Sequence, residues 1–195
     1  MISRITATGP AAARSQGRGA DRSAPAATVR RATARDAKRL TRLIRASRAY
    51  EGPYAPMIAG YRVGPDYIEA HRVFLAAGPD DRLLGFYALL LVPPELDLMF
   101  VADAAQGLGV GRQLVEHMKE EARAAGVTAV RVVSHPPAEG FYRRVGAERV
   151  GTVAANPPAV MWDRPELVIG VGHAGTTGCG RTGCGPHRVS PRSQS

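Results

Sequence analysis

The stretch Gln106-Gly-Leu-Gly-Val-Gly-Arg112 decides how the rest of this sequence is read. It follows an apolar segment at residues 96–101 with strand character. It opens the most regular amphipathic stretch of the chain, residues 110–125, in which Val110, Leu114, Val115, Met118 and Ala122 fall on one helical face. Gly126 supplies the stop. Glycines at alternate positions let the backbone turn sharply and come close to a ligand. The unpaired amides of a helix start then converge where the helix dipole is positive, an arrangement suited to a phosphate or pyrophosphate.

Spacing separates the phosphate-binding patterns. A P-loop needs Gly-x4-Gly-Lys-Ser/Thr, and here Arg112-Gln113 stand where Lys-Ser belongs. A dinucleotide fingerprint needs Gly-x-Gly-x-x-Gly with an acid about 20 residues on. After Gly107 and Gly109 the third glycine comes one place early, at Gly111, and the chain near residue 130 reads Thr-Ala-Val-Arg-Val, without an acid. Both patterns fail.

Working outward, residues 28–31 read as a short strand and residues 34–45 as a helix with Ala37, Leu40, Leu43 and Ile44 at helical spacing. Residues 50–70 carry irregular Gly and Pro and read as loops around short helices. Residues 72–76 and 82–92 are strands joined through the turn chemistry of Gly78-Pro-Asp-Asp, a hairpin that Pro93-Pro94 stops. Beyond the main helix come a β-branched strand at 127–133, a short helix at 138–145 ended by Gly146, and strands at 149–153 and 166–171. The order βα, ββ, βαβ, αβ, β predicts an α/β fold on a mixed sheet of about seven strands.

The spacing that does fit is Gln/Arg-x-x-Gly-x-Gly/Ala, on Gln106, Gly109 and Gly111. At this point the chain resembles the GNAT N-acetyltransferase superfamily. Phe141-Tyr-Arg-Arg-Val-Gly-Ala147 looks like the family's second landmark, Glu95-Leu-Asp-Leu-Met-Phe-Val101 like the strand before the loop, and Gly85-Phe-Tyr-Ala-Leu like its third strand. The resemblance spans residues 28–171. It implies a mostly antiparallel sheet flanked by helices and splayed at the cofactor site, with acetyl-CoA as co-substrate. The activity it implies is N-acetyltransfer to a primary amine of a small molecule or peptide by direct attack on the thioester.

By the same resemblance, Phe100 and Val101 meet the pantetheine, while Gln106, Gly107, Leu108, Gly109, Val110, Gly111 and Arg112 meet the pyrophosphate. Arg112 has an alternative as a surface partner of Glu116 at i+4. Tyr142 matches the tyrosine that protonates the departing thiolate, or is a core aromatic beside Phe141. Relatives often carry Asn a few residues earlier; here Pro137 stands there, so that contact is lost or passes to His135, which otherwise reads as an exposed loop residue. This departure keeps open a non-catalytic acyl-CoA-binding module or sensor. An alkyl ammonium with a pKa near ~10.4 must lose its proton to attack. Glu95, slightly preferred, and Asp97 sit two apart on one strand and so share a face where the acceptor arrives; otherwise they are solvated acids. Tyr50, Glu51, Tyr54, Tyr61 and Tyr67, with Trp162, suit an acceptor pocket for a small-molecule amine or the rim of a homodimer contact.

Composition bounds the rest. The 195 residues, 45% hydrophobic and 22% charged, suit one globular domain. The longest apolar run, residues 86–92, is far short of the ~18 residues of a membrane span, and no signal-peptide core is visible. Two cysteines make no disulfide scaffold, so a cytoplasmic location is expected. The net charge is +9, and 24 of the 26 basic residues are Arg, as a GC-rich coding sequence produces. Residues 1–29 and 172–195 carry +3 each, leaving +3 for the middle. A nucleic-acid binder would instead gather the charge on its folded face, which disfavours that class. Residues 1–27 read as a disordered leader, 28–171 as the domain, and 172–195 as a flexible Gly/Arg/Cys tail. His173, Cys179, Cys184 and His187 provide four zinc-type donors there, but no periodic element frames them and no metal is expected.

Overall fold

The computed structural model describes residues 27–158 and 160–172. The leader and almost all of the tail, including the four Cys/His donors, lie outside the described residues. Seven strands, β1 (Thr28–Arg31), β2 (Arg72–Ala77), β3 (Leu83–Leu91), β4 (Pro94–Val101), β5 (Ala129–Val133), β6 (Ala147–Val153) and β7 (Arg164–Gly170), form one open sheet in the order β1-β2-β3-β4-β5-β7-β6. Five α-helices accompany them: α1 (Ala37–Arg45), α2 (Pro56–Ala59), α3 (Pro65–Ala70), α4 (Val110–Ala124) and α5 (Glu139–Arg144). Every neighbouring pair is antiparallel except β4 with β5. The architecture is that expected from the sequence.

Each face of the sheet is covered. On one side Val110, Leu114, Met118 and Ala122 of α4 pack with Tyr87, Leu89, Val130 and Ile169. On the other, Leu40 and Ile44 of α1, with Ile58 and Ile68 of the short helices, pack on Val73, Leu75, Phe86, Leu98 and Phe100. The strands between two such layers are apolar on both faces, as β2 and β3 are. Gly85 belongs to this constraint: a Cβ there would stand 2.8 Å from the Phe100 carbonyl oxygen and 3.1 Å from Leu114 Cδ1. Only a residue without a side chain lets β3, β4 and α4 approach so closely.

Two features place the site. Antiparallel β3 and β4 run in register until Ala88 faces Leu98, and then Leu89 faces Leu96. Asp97 is thus the extra residue of a β-bulge. Leu98 points into the α1 layer and Leu96 into the α4 layer, so simple alternation along β4 is broken there. The shared strand face expected for Glu95 and Asp97 is therefore disrupted, because alternation holds only where the ladder is continuous. The second feature is the β4–β5 junction, where the pairing is confined to Glu95 with Arg131. Beyond that point the two strands part.

At the start of the domain, Asp36 ties β1 to the first helical turn. Its carboxylate accepts from the Thr33 amide (2.9 Å) and hydroxyl (3.0 Å) and, on both oxygens, from Arg30 (3.0 and 2.9 Å), at 4% exposure. These donors favour the charged form and hold its pKa at about 2, the Arg30 hydrogen bond contributing most. A depressed carboxylate pKa adds stability that is complete above the unfolded value of ~3.9 and is lost as pH falls through about 2. Allowing for solvent around Arg30, the contribution is roughly 1–2 kcal/mol. Asp36→Asn is expected to lower urea-unfolding stability by about that much at pH 7, with the gap to wild type closing between pH 4 and pH 2; a gap that stays constant would place the effect elsewhere.

Candidate functional site

After β4 the chain makes a short 3-10 turn at Asp103–Ala105 and enters the glycine-rich loop. Gly107 and Gly109 adopt φ of 75° and 83°, the left-handed region that favours glycine. Gly109 is the N-cap of α4, and no side chain caps the helix. The first helical hydrogen bond runs from Gln113 N–H to the Gly109 carbonyl at 3.0 Å. The Gln106 and Leu108 amides turn back weakly onto Asp103 and Ala105, at 3.3 and 3.4 Å. The amides of Gly107, Gly109, Val110, Gly111 and Arg112 have no partner among the described residues. Five free donors thus gather at the positive end of a fifteen-residue helix.

Gly111 is glycine for a different reason. A Cβ there would lie 3.1 and 3.2 Å from the Phe141 ring. The third glycine therefore lets α4 close on α5, which brings the second landmark against the loop.

The parting of β4 and β5 opens a groove of about 620 Å³ that starts at this loop and runs between the strand ends. It gathers residues that the sequence leaves far apart. Gln106, Gly107, Gly109, Gly111 and Arg112 line it at the loop, Met99, Phe100 and Val101 along the end of β4 with Phe141, Tyr142 and the Phe100-stacked Tyr50, and Glu95 and Asp97 line it further back along β4, with Tyr61 also in the lining. Leu108 and Val110 are not among the lining residues: Val110 is buried in the α4 core, and Leu108 returns its amide to Ala105. Beyond Glu95, the backbone of β4 that faces β5 has no strand partner.

Tyr142 is 8% exposed, packs edge-on to Phe141 at 5.2 Å, and has no hydrogen-bond partner for its hydroxyl among the described residues. Burial pushes its phenol well above the usual value, so it carries its proton at neutral pH. It belongs to the core cluster and lines the groove at once.

The two carboxylates differ in company. Glu95 pairs with Arg131 at 2.7 Å, and Arg131 also holds Glu166 at 2.6 Å. Exposed Asp97 accepts a hydrogen bond from the Tyr67 hydroxyl. Burial first, and then that bond to Asp97, push the Tyr67 phenol far up, so it stays the donor. Burial, reinforced by the charge of Asp97, raises Tyr61 to about 12.

His135 departs from the sequence reading. It is 6% exposed rather than a surface loop residue, stacked on Tyr50 at 4.4 Å and edge-on to Tyr54 at 4.2 Å. Burial lowers its pKa and keeps it neutral. The aromatic spacing within residues 50–54 was its only sequence signal, since the contact joins segments some 80 residues apart. Glu51, by contrast, is exposed and pairs with Arg48. Three guanidinium groups line the groove, those of Arg112, Arg144 and Arg164, and none has an ion-pair partner among the described residues. Glu116, the alternative partner of Arg112, binds Lys119 instead. No cluster of three or more His, Cys, Asp or Glu suited to a metal occurs among the described residues, and no helix among them is long and apolar enough to cross a membrane.

A profile of the acetyltransferase (GNAT) domain matches residues 62–156. Those residues form a GNAT acetyltransferase domain. The fold agrees. A GCN5-related N-acetyltransferase from Rhodopseudomonas palustris superposes with a TM-score of 0.65 at 17% identity, covering 74% of this chain and 95% of its own. The ribosomal-protein-S18-alanine N-acetyltransferase of Escherichia coli gives 0.58 at 17%, covering 77% and 97%. The spermidine N-acetyltransferase of Vibrio cholerae, solved with CoA and spermine, gives 0.56 at 17%, covering 73% and 94%. No curated protein matches by sequence. The GNAT profile spans the loop, both carboxylates and Tyr142, whereas the groove residues Tyr50 and Arg164, and Tyr54 and Trp162 beside His135, lie outside it.

If the Gly111–Phe141 contact joins the two landmarks, Gly111→Val must push Phe141 aside. The expected cost is about 1–3 kcal/mol, seen by calorimetry as a melting temperature several degrees lower. An unchanged melting temperature would mean that the two helices are not held by this contact.

Proposed function

We propose that this protein is an acetyl-CoA-dependent N-acetyltransferase that acetylates a primary amine by direct attack of the amine on the thioester. The carrying observation is the row of unpartnered amides at Gly107 and Gly109–Arg112, opening into a groove that runs past an unpaired strand edge to Tyr142. These features suit the successive parts of acetyl-CoA. The loop amides and the dipole of α4 would hold the pyrophosphate, with Arg112 adding charge. The unpaired edge of β4 near Phe100 and Val101 would pair with the pantetheine amides as a strand would. Bound this way, acetyl-CoA supplies an activated acetyl group at the centre of the groove.

The reaction then asks three things of the chain. The amine must arrive neutral, its proton must be accepted on attack, and negative charge developing on sulfur needs a donor. Asp97 suits the second task, directly or through water. Its only partner among the described residues is a neutral phenol, on one of its two carboxylate oxygens. Glu95 is engaged by the Arg131 cation at 2.7 Å, whereas Asp97 has no cation beside it among the described residues, so we assign the base role to Asp97 rather than Glu95. Tyr142 suits the third task. Its buried phenol is protonated, and its hydroxyl has no competing partner. With its pKa raised above that of a thiol, it acts as a hydrogen-bond donor to the departing sulfur.

Isothermal titration with acetyl-CoA is expected to show saturable binding below millimolar concentration; absence of binding would overturn the reading. Tyr142→Phe is expected to lower kcat by about 10–100-fold while changing acetyl-CoA affinity less than threefold. An equal loss of both would assign Tyr142 to packing. Asp97→Asn is expected to lower kcat/KM at pH 7 by about 100-fold and Glu95→Gln by less; the reverse order would return the base to Glu95. Binding of acetyl-CoA without thiol release across a broad amine panel would mark a non-catalytic acyl-CoA-binding module.

A further inference from the structure

Three buried side-chain nitrogens have no partner among the described residues: His135 Nε2, Trp162 Nε1 and Arg164 Nε. Tyr54 touches both the His135 ring, at 4.2 Å, and the Trp162 ring, at 4.5 Å. Arg164 and Pro165 lie beside the end of β5, where the Ser134 amide donates to the Pro165 carbonyl at 2.9 Å. His135 and Arg164 both line the groove, His135 on the far side of Tyr50 from Phe100. Buried polar atoms are almost always satisfied, because an orphan costs the full desolvation of the group. Two of the orphans, His135 Nε2 and Arg164 Nε, belong to residues that line the groove, which points to a polar occupant there.

The chemistry of the orphans defines that occupant. An indole N–H and a guanidinium Nε–H only donate. A neutral imidazole can present a donor at Nε2 when its proton sits there. Arg164 is a cation without an ion-pair partner among the described residues, and its neighbour Asp163 accepts from the Ala155 amide at 2.9 Å. Glu166, two residues along, is held by Arg131. Donors plus an uncompensated cation ask for an anionic oxygen acceptor, and a planar guanidinium matches a carboxylate best.

We infer that the acceptor end of the groove carries a carboxylate subsite formed by Arg164 and His135, with Trp162 behind it, so that the amine substrate is an amino-carboxylate. This inference rests on the acetyltransferase reading above. The ammonium end of such a substrate would face Asp97 and Glu95, and its carboxylate end Arg164, so one zwitterion would be oriented by opposite charges at the two sides of the groove. Tyr50, stacked between Phe100 and His135, forms the apolar wall between them.

The test compares matched amines in steady-state kinetics with the full chain and acetyl-CoA: amino acids against their carboxamides and their decarboxylated amines, and dipeptides against their C-terminal amides. Free amino acids are expected to exceed their neutral analogues in kcat/KM by at least 10-fold. A preference confined to the dipeptide pair would keep the subsite and identify a peptide C-terminus as its source. Arg164→Gln is expected to collapse the carboxylate preference at least 10-fold, through KM more than kcat. Equal or better turnover of the neutral analogues by the wild-type protein would overturn the inference, and that comparison stands whether or not the variant folds. Calorimetry with acetyl-CoA alone separates the two claims. Cofactor binding and turnover without a carboxylate preference defeats the subsite only, whereas no cofactor binding defeats the acetyltransferase reading.

Discussion

The constraint on which the rest of the structure depends is the failure of β4 and β5 to remain paired after Glu95 and Arg131. Backbone donors and acceptors inside a protein must find partners, and a parallel pair in the middle of a seven-stranded sheet would ordinarily provide them. Here the strands part, and the polar edge of β4 leads directly into a helix start whose first amides are equally unpartnered. Local cost becomes a continuous line of hydrogen-bonding capacity. That line can be kept open because the sheet is braced on both sides of the gap, by α1 and the short helices on one face and by α4 and α5 on the other.

What was legible in the sequence follows from what is local. The α4 face, the loop glycines and the turn at Gly78 are short-range signals, and the strands appeared within about two residues of their expected ends. The loop was legible because backbone binding demands particular residues at particular positions. Two glycines are needed for their left-handed φ, while Gly111 answers to Phe141, thirty residues on, which no local pattern reveals. The bulge at Asp97 was equally hidden. Nothing in Glu-Leu-Asp-Leu distinguishes a continuous strand from one that skips a residue, because the skip is set by the partner β3.

The two ends of the groove illustrate the same division. The loop end is made mainly of backbone and lies within the stretch that matches the GNAT profile. The rest of the groove includes side chains from four separated segments, at Tyr50, Asp97, His135 and Arg164, the first and last of which lie outside that stretch. Each of these residues is unremarkable in its own neighbourhood. His135 reads as a loop residue until Tyr50 and Tyr54 arrive to cover it. A family pattern thus describes the part of the groove built from backbone, and leaves the part built from side chains to tertiary packing.

Arg131 shows how stability and chemistry meet at the gap. It sits at the position where β5 pairs with β4 and reaches Glu95 on β4 and Glu166 on β7, so one guanidinium links three adjacent strands where the β4–β5 ladder stops. Partial exposure limits what each ion pair adds, but the pairing has a second effect. It commits the charge of Glu95 to the sheet and leaves Asp97, displaced by the bulge, as the groove carboxylate whose partner among the described residues is a neutral phenol rather than a cation. The same residue that holds the splayed strands together thereby distinguishes two acids that the sequence presents as equivalent.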